Sequence, residues 1–266
     1  MTESKAGPVH LVDWDGPGAP ILLTHGMAAN THWWDEVVPR WNGKLRAAAL
    51  DFRGHGDSDR TPDGAYTADL WIEDIETARR ALGWERFILC GHSMGARIAL
   101  TYAERHPRRL RGVAAVDFLP EVRSNRPSRF KRASGRPQPF YASEDDILSR
   151  FRLEPGGTIL PPEKVRALGR EGVRRGAEGW TWKFDWRCLS LPIPPVWPQL
   201  AEIKVPALMV RGGLSDIIDA ADFERVTREV AGARGVTIPG AHHHVPLDAP
   251  AELAAAVAEF AAALPG

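Results

Sequence analysis

The stretch FILCGHSMGARIAL, residues Phe87 to Leu100, decides how this chain is read. Its apolar run, RFILCG (86–91), ends in small residues, and an amphipathic pattern begins at Ala96. A short run without polar alternation predicts a strand buried on both faces. Gly91-His92-Ser93-Met94-Gly95 is then a G-x-S-x-G set between a strand and a helix. So tight a turn strains the serine backbone, and small flanking residues let strand and helix approach; Gly91, Gly95 and Ala96 supply them. The Ser93 hydroxyl is thereby lifted to the C-terminal edge of a sheet. The Met94 backbone N–H faces a developing oxyanion at the helix N-terminus. Ser93 is the candidate nucleophile, against the plainer reading of a turn serine.

Outward from this elbow, further strand-like runs are VHLVDW (9–14), PILLTH (20–25), LRAAALD (45–51), GVAAVDF (112–118), VPALMVRG (205–212) and RGVTIPG (234–240). Helical patterns separate them. In TADLWIEDIETARRAL, Thr67 caps a helix whose Trp71, Ile75, Ala78 and Leu82 recur on one face. Met94 to His106 stops at Pro107, and DFERVTREVAG and APAELAAAVAEFAAAL follow the last strands. The alternation predicts an α/β fold with a doubly wound, mostly parallel sheet. It breaks between about Leu119 and Ala201, a proline-rich stretch with short helical patterns such as SEDDILSRF and PPEKVRALGREGV. A loop of that length inside one domain is improbable, so we expect an inserted helical cap over 119–201, on a core formed by 1–118 and 202–266.

With 266 residues the chain can bury a large core without staples. Lys and Arg number 34, as do Asp and Glu, so no net charge draws it to nucleic acid or to an acidic membrane surface. No stretch reaches the length of a membrane span and MTESKAGP lacks a signal-like apolar region, so a cytoplasmic protein is expected. The two cysteines, Cys90 and Cys188, form neither a disulfide framework nor a zinc pattern. Cys90 reads as a small buried hydrophobe.

A serine at its ordinary pKa is a poor nucleophile and requires a base and an orienting acid. The loop AHHHVPLDAP (241–250) offers His242, His243 and His244 after the last strand. Three histidines in a row also invite a metal. Adjacent residues of an extended loop point in alternating directions, however, and no Cys or carboxylate cluster completes a site, so neither metal nor cofactor is expected. Two acids follow buried strands, Asp117 in AAVDFLP and Asp216 in LMVRGGLSDII. Chain order Ser, Asp, His and a Gly-Gly turn favour Asp216, with Asp117 in reserve.

These residues resemble the α/β-hydrolase superfamily, in particular its cap-bearing serine esterases and lactonases. The likeness rests on THGMAAN (24–30), DFRGHGDSD (51–59), GHSMGA (91–96), VRGGLSD (210–216) and PGAHHHVPLDAP (239–250), with GWTWKFDW (179–186) similar to a cap motif of that branch. The resemblance implies that the residue after His-Gly, Met27, gives the second oxyanion N–H. It also implies that the catalytic histidine stands seven residues before the proline of the final helix, which selects His243 from Pro250. The sequence departs from the family in showing one strand before PILLTH where two are usual.

The expected reaction is hydrolysis of a carboxylic ester or lactone through an acyl-enzyme. Serine would form a stable ether from a haloalkane or epoxide, so those two chemistries are disfavoured. Thioester, activated C–C or perhydrolytic chemistry would use the same groups, and a nonenzymatic ligand receptor is the alternative of another class. Trp33, Trp34, Trp182 and Trp186 are the candidate substrate-binding residues, pointing to a small apolar substrate as partner rather than nucleic acid or membrane. Packing of the cap on the core is the competing reading of these rings.

Overall fold

The computed structural model describes residues 1–121, 129–133, 135–190 and 194–265. Ten strands are present among them: β1 (Thr2–Ala6), β2 (Val9–Asp13), β3 (Ala19–Thr24), β4 (Leu45–Asp51), β5 (Phe87–His92), β6 (Leu110–Val116), β7 (Val173–Gly176), β8 (Gly179–Trp182), β9 (Ala207–Gly212) and β10 (Arg234–Ile238). Eight form one sheet in the order β1-β2-β4-β3-β5-β6-β9-β10. From β4 to β10 every pairing is parallel, and β1 and β2 join antiparallel at the edge. The fold class read from the sequence is the one observed. The strand that the sequence did not reveal is β1, TESKA. It lies at a sheet edge with four of its five side chains exposed, so it carries no apolar signal.

The central strands are buried on both faces, and alternate residues feed two cores. Phe87, Leu89 and Leu22 point to one side, where α1 (Ala68–Ala81) and α2 (Met94–Arg105) pack. Ile88, Cys90, Ile21 and Leu23 point to the other, against Trp34, Trp41 and α9 (Pro250–Ala262). Each large side chain so enclosed contributes about 1.5–3 kcal/mol. Thr67 caps α1 as expected, its hydroxyl accepting from the Leu70 N–H at 3.1 Å.

Chain order and sheet order part company beside β3. The chain steps from β3 to β4 on one side, then returns to β5 on the other. The C-terminal ends of β3 and β5 therefore flank a switch point, where parallel sheets open a crevice. Five short helices lie off the regular alternation: α3 (Arg129–Ala133), α4 (Glu144–Arg150), α5 (Pro162–Glu171), α6 (Trp197–Leu200) and α8 (Val245–Asp248); α7 (Ala220–Glu229) lies between β9 and β10. Between β6 and β9, β7 and β8 form a separate hairpin. Ile147, Leu148, Val173 and Trp182 make a small apolar cluster of their own there.

Candidate active site

Ser93 stands between β5 and α2 with φ +55° and ψ −115°, a left-handed backbone that a non-glycine residue seldom adopts. Its N–H donates to Val116 O at 2.9 Å, so the strained turn is pinned to β6. The flanking glycines are sterically required. A Cβ on Gly91 would run into the Gly95 carbonyl, and one on Gly95 would lie 2.6 Å from His25 O and 2.7 Å from Thr24 O. Met94 opens α2, so its N–H has no partner within that helix.

A continuous set of hydrogen bonds runs inward from the serine. Nε2 of His243 lies 3.0 Å from Ser93 Oγ, and Nδ1 lies 2.8 Å from Asp117 Oδ1. Because a carboxylate only accepts, Nδ1 carries the proton and Nε2 presents its lone pair to the hydroxyl. His243 and Asp117 are buried. The Ser215 hydroxyl donates to Asp117 Oδ1 at 2.6 Å and the Gly212 N–H to Oδ2 at 2.7 Å. Burial pushes the Asp117 carboxyl up to about 6, against the pull of these two donors and of nearby His92 and Arg211.

The expected partner of His243, Asp216, is therefore corrected to Asp117. Asp216 is exposed in the turn after β9, two strands from Ser93, whereas Asp117 directly follows β6, the strand adjoining β5. The Gly-Gly turn still serves the site, because Gly212 and Ser215 orient Asp117. Sequence order could not rank the two acids, since it does not say which strand is the neighbour of β5. Asp117 itself carries a signal only in three dimensions: φ +41°, with its N–H bonded to Val210 O at 2.8 Å.

His25 sets the loop after β3. Its Nε2 accepts the Phe52 N–H at 3.1 Å, so Nδ1 holds the proton and donates to Gly26 O at 2.7 Å. Complete burial lowers the His25 pKa, keeping the ring neutral. Ala29 N–H donates to the same carbonyl at 3.2 Å. In a trans peptide the next N–H, that of Met27, points the opposite way. A Cβ on Gly26 would come within 3.1 Å of Ser93 Cβ, which places this peptide beside the serine. The role of His25 was not read from the sequence.

Of the three loop histidines, His242 is held through its N–H, which donates to Asp248 Oδ2 at 2.9 Å. His244 donates from Nε2 to Pro155 O at 2.8 Å, and burial lowers its pKa. His92 is buried too, and its Nε2 donates to His243 O at 2.9 Å. Its pKa falls well below the ordinary value through burial, with His243 and His244 adding to the effect.

A cavity of about 580 Å³ adjoins the site through Met27 and His244. Ser93 and His243 are not on its wall. Trp33, Trp182 and Trp186 line it, together with Phe151 and Phe184. Trp34 does not: it is 1% exposed and packs in the core on the α9 side of the sheet, a correction to its placement among substrate-binding residues. Adjacent residues of the short helical turn Thr31–Trp34 diverge in direction, so one of the two rings faces the cavity and the other the core.

A family model described as the alpha/beta hydrolase fold matches residues 19–250. A 2-(acetamidomethylene)succinate hydrolase of Mesorhizobium japonicum is 29% identical over 235 residues, spanning 86% of this chain and 83% of that protein. An esterase of Mycobacterium tuberculosis is 26% identical over 255 residues, spanning 94% of this chain and 85% of its own. The crystal structure of an E-2-(acetamidomethylene)succinate hydrolase superposes with a TM-score of 0.83 over 98% of each chain, at 24% identity. Among the described residues, no helix is long and apolar enough to cross a membrane.

Proposed function

The chain belongs to the α/β-hydrolase family, and from that premise we propose that it is a serine hydrolase that cleaves a carboxylic ester or lactone through an acyl-enzyme. The observation that carries this reading is the unbroken hydrogen-bond chain Ser93–His243–Asp117. His243 takes the Ser93 proton through Nε2 as Oγ attacks the acyl carbonyl. The Met27 and Met94 N–H groups stabilise the tetrahedral oxyanion, each such donor being worth about 3 kcal/mol. Asp117 holds the imidazole in the required tautomer and stabilises the imidazolium. Proton return from His243 releases the alcohol, and water, deprotonated by the same ring, clears the acyl-enzyme.

The aromatic wall of Trp33, Phe151, Trp182, Phe184 and Trp186 supports a small apolar acyl compound, and the cavity is of ordinary ligand size. Arg136, Arg150 and Arg152 line the same cavity and favour a second reading, in which that compound also bears a carboxylate. A relative named for an acetamidomethylene succinate fits this variant. Purified protein is expected to hydrolyse short p-nitrophenyl esters and to be labelled by a fluorophosphonate, with both lost in Ser93→Ala. A wild-type protein that neither turns over nor labels would refute the proposal and leave a ligand receptor as the alternative. Comparing neutral aryl esters with succinate half-esters separates the two substrate readings.

A further inference from the structure

One stretch of chain, residues 155–159 between α4 and α5, grips the general base from both sides. The His243 ring bonds to Ser93 and Asp117, and its carbonyl accepts from His92 Nε2 and from the Val245 N–H, each at 2.9 Å. Its two neighbours are tied to the 155–159 stretch. His244 donates from Nε2 to Pro155 O at 2.8 Å. His242 is tied through Asp248, the last residue of α8, whose Oδ2 accepts the His242 N–H at 2.9 Å. Oδ1 of that carboxylate accepts the Thr158 hydroxyl at 2.6 Å and the Ile159 N–H at 3.1 Å. The His242 ring also packs here, since a Cβ on Gly157 would lie 2.7 Å from its Nδ1.

Asp248 is buried, so its carboxylate oxygens need donors, and these three supply them. The Thr158 bond is the short, charge-assisted one. Its direction is fixed, because Thr158 Oγ1 also accepts the Leu160 N–H at 3.1 Å and therefore turns its own hydrogen toward Asp248. Residues 155–159 are neither helix nor strand, so they have no ladder of their own, and bonds of this kind set where they lie. The same stretch continues directly from the cavity wall, where Phe151, Arg152, Leu153 and Glu154 stand. Cavity wall and base mount are thus consecutive in the chain.

We propose that Thr158 and Asp248 are positioning residues for the general base: they fasten the loop of His243 to the 155–159 stretch and so keep the imidazole aligned between Asp117 and Ser93. Neither residue lines the cavity, so they act on turnover through His242 and not on substrate binding. A displacement of about 1 Å at a reacting group costs on the order of 10²-fold in rate, which is the scale on which such a fastening matters. The effect on turnover rests on the serine-hydrolase reading; the holding of the ring does not.

Thr158→Val keeps the shape of the side chain and removes the hydroxyl, while Asp248 retains its bonds from His242 and Ile159. In p-nitrophenyl ester kinetics, normalised to the sites that a fluorophosphonate titrates, kcat should fall about tenfold with KM held within about twofold. Thr158→Ser restores the donor and should return kcat to within about twofold of wild type. Asp248→Asn should lose about 10²-fold, because its one oxygen cannot accept both the His242 and the Ile159 N–H and its NH2 must face one of them. Thr227→Val, which removes a hydroxyl bonded to Phe223 O in α7, is the control and should leave kcat unchanged. Proton NMR reads the His243 Nδ1–H without substrate, assigned by its loss in His243→Gln; the resonance should shift or broaden in Thr158→Val and recover in Thr158→Ser. An unchanged kcat or an unmoved resonance in Thr158→Val overturns the proposal, as does a loss that Thr158→Ser fails to recover. If Asp248→Asn does not fold, the two Thr158 variants decide. A wild type that neither turns over nor labels refutes the hydrolase reading instead, and the resonance alone then decides the positioning role.

Discussion

Replacing Asp117 by Asn tests the corrected acid, and the structure allows its outcome to be worked through. Asp117 receives three hydrogen bonds: His243 Nδ1–H at 2.8 Å and the Ser215 hydroxyl at 2.6 Å on Oδ1, and the Gly212 N–H at 2.7 Å on Oδ2. An Asn side chain has one oxygen and one NH2. The Gly212 N–H belongs to the backbone and cannot turn away, so the amide oxygen goes there. The NH2 then faces His243 and Ser215. Ser215 accommodates it by rotating its hydroxyl to accept, but His243 can accept only by giving up the Nδ1 proton. The ring becomes protonated at Nε2 and can no longer receive the proton of Ser93. The expected loss in kcat is about 10⁴-fold, or roughly 5.5 kcal/mol. The fold should survive, because φ +41° at position 117 suits Asn as well as Asp. Burial also pushes the carboxyl up to about 6, so a neutral amide removes the cost of an ionised buried group at neutral pH. The melting temperature should hold or rise. Steady-state p-nitrophenyl ester kinetics and thermal denaturation, with Asp216→Asn in parallel, measure both effects. Retention of more than about a tenth of kcat in Asp117→Asn, with a severe loss in Asp216→Asn, would refute the assignment.

Further outcomes are as specific. Acidification through pH 6 protonates Asp117 and removes the acceptor for the imidazolium, so kcat should fall on the acid limb; a profile flat from pH 8 to 5 would contradict the placement of Asp117. From this group alone stability runs the other way, because the folded chain takes up the proton near 6 and the unfolded chain only near 3.8, so uptake between those values stabilises the fold. His25→Ala should lower kcat about 10²-fold with little change in KM, because the Gly26 carbonyl loses the shorter of its two hydrogen bonds, keeping only that from Ala29 N–H, and the Met27 N–H loses part of its aim; an unchanged kcat would release His25 from that role. Gly95→Ala places a methyl group against the His25 and Thr24 carbonyls and should cost about 1–3 kcal/mol, read as a lower melting temperature. Trp182→Ala should raise KM for aryl esters more than it lowers kcat, since the ring lines the cavity away from the reacting atoms; an unchanged KM would assign it to packing alone.

Local chemistry made much of this protein legible from its sequence. Buried strands declared themselves as apolar runs, α1 as a capped amphipathic repeat, and the elbow as a serine among glycines, because each pattern is a direct consequence of backbone geometry. Resemblance then picked His243 from its two neighbours, and the structure brings that ring to Ser93. What the sequence could not contain was adjacency. Strand order placed Asp117, directly after β6, next to β5 and left Asp216, after β9, one strand farther off. The polar edge strand β1 escaped notice because four of its five side chains are exposed. Trp33 and Trp34 are identical in kind and adjacent in sequence, yet one lines the cavity and the other fills the core. The meeting of His92 with His243 and His244 lies across some 150 residues of chain, as its hydrogen bond to His243 O does. Residue type and spacing determined which groups were available for chemistry; only the packing of distant strands and loops decided which of them share a hydrogen bond.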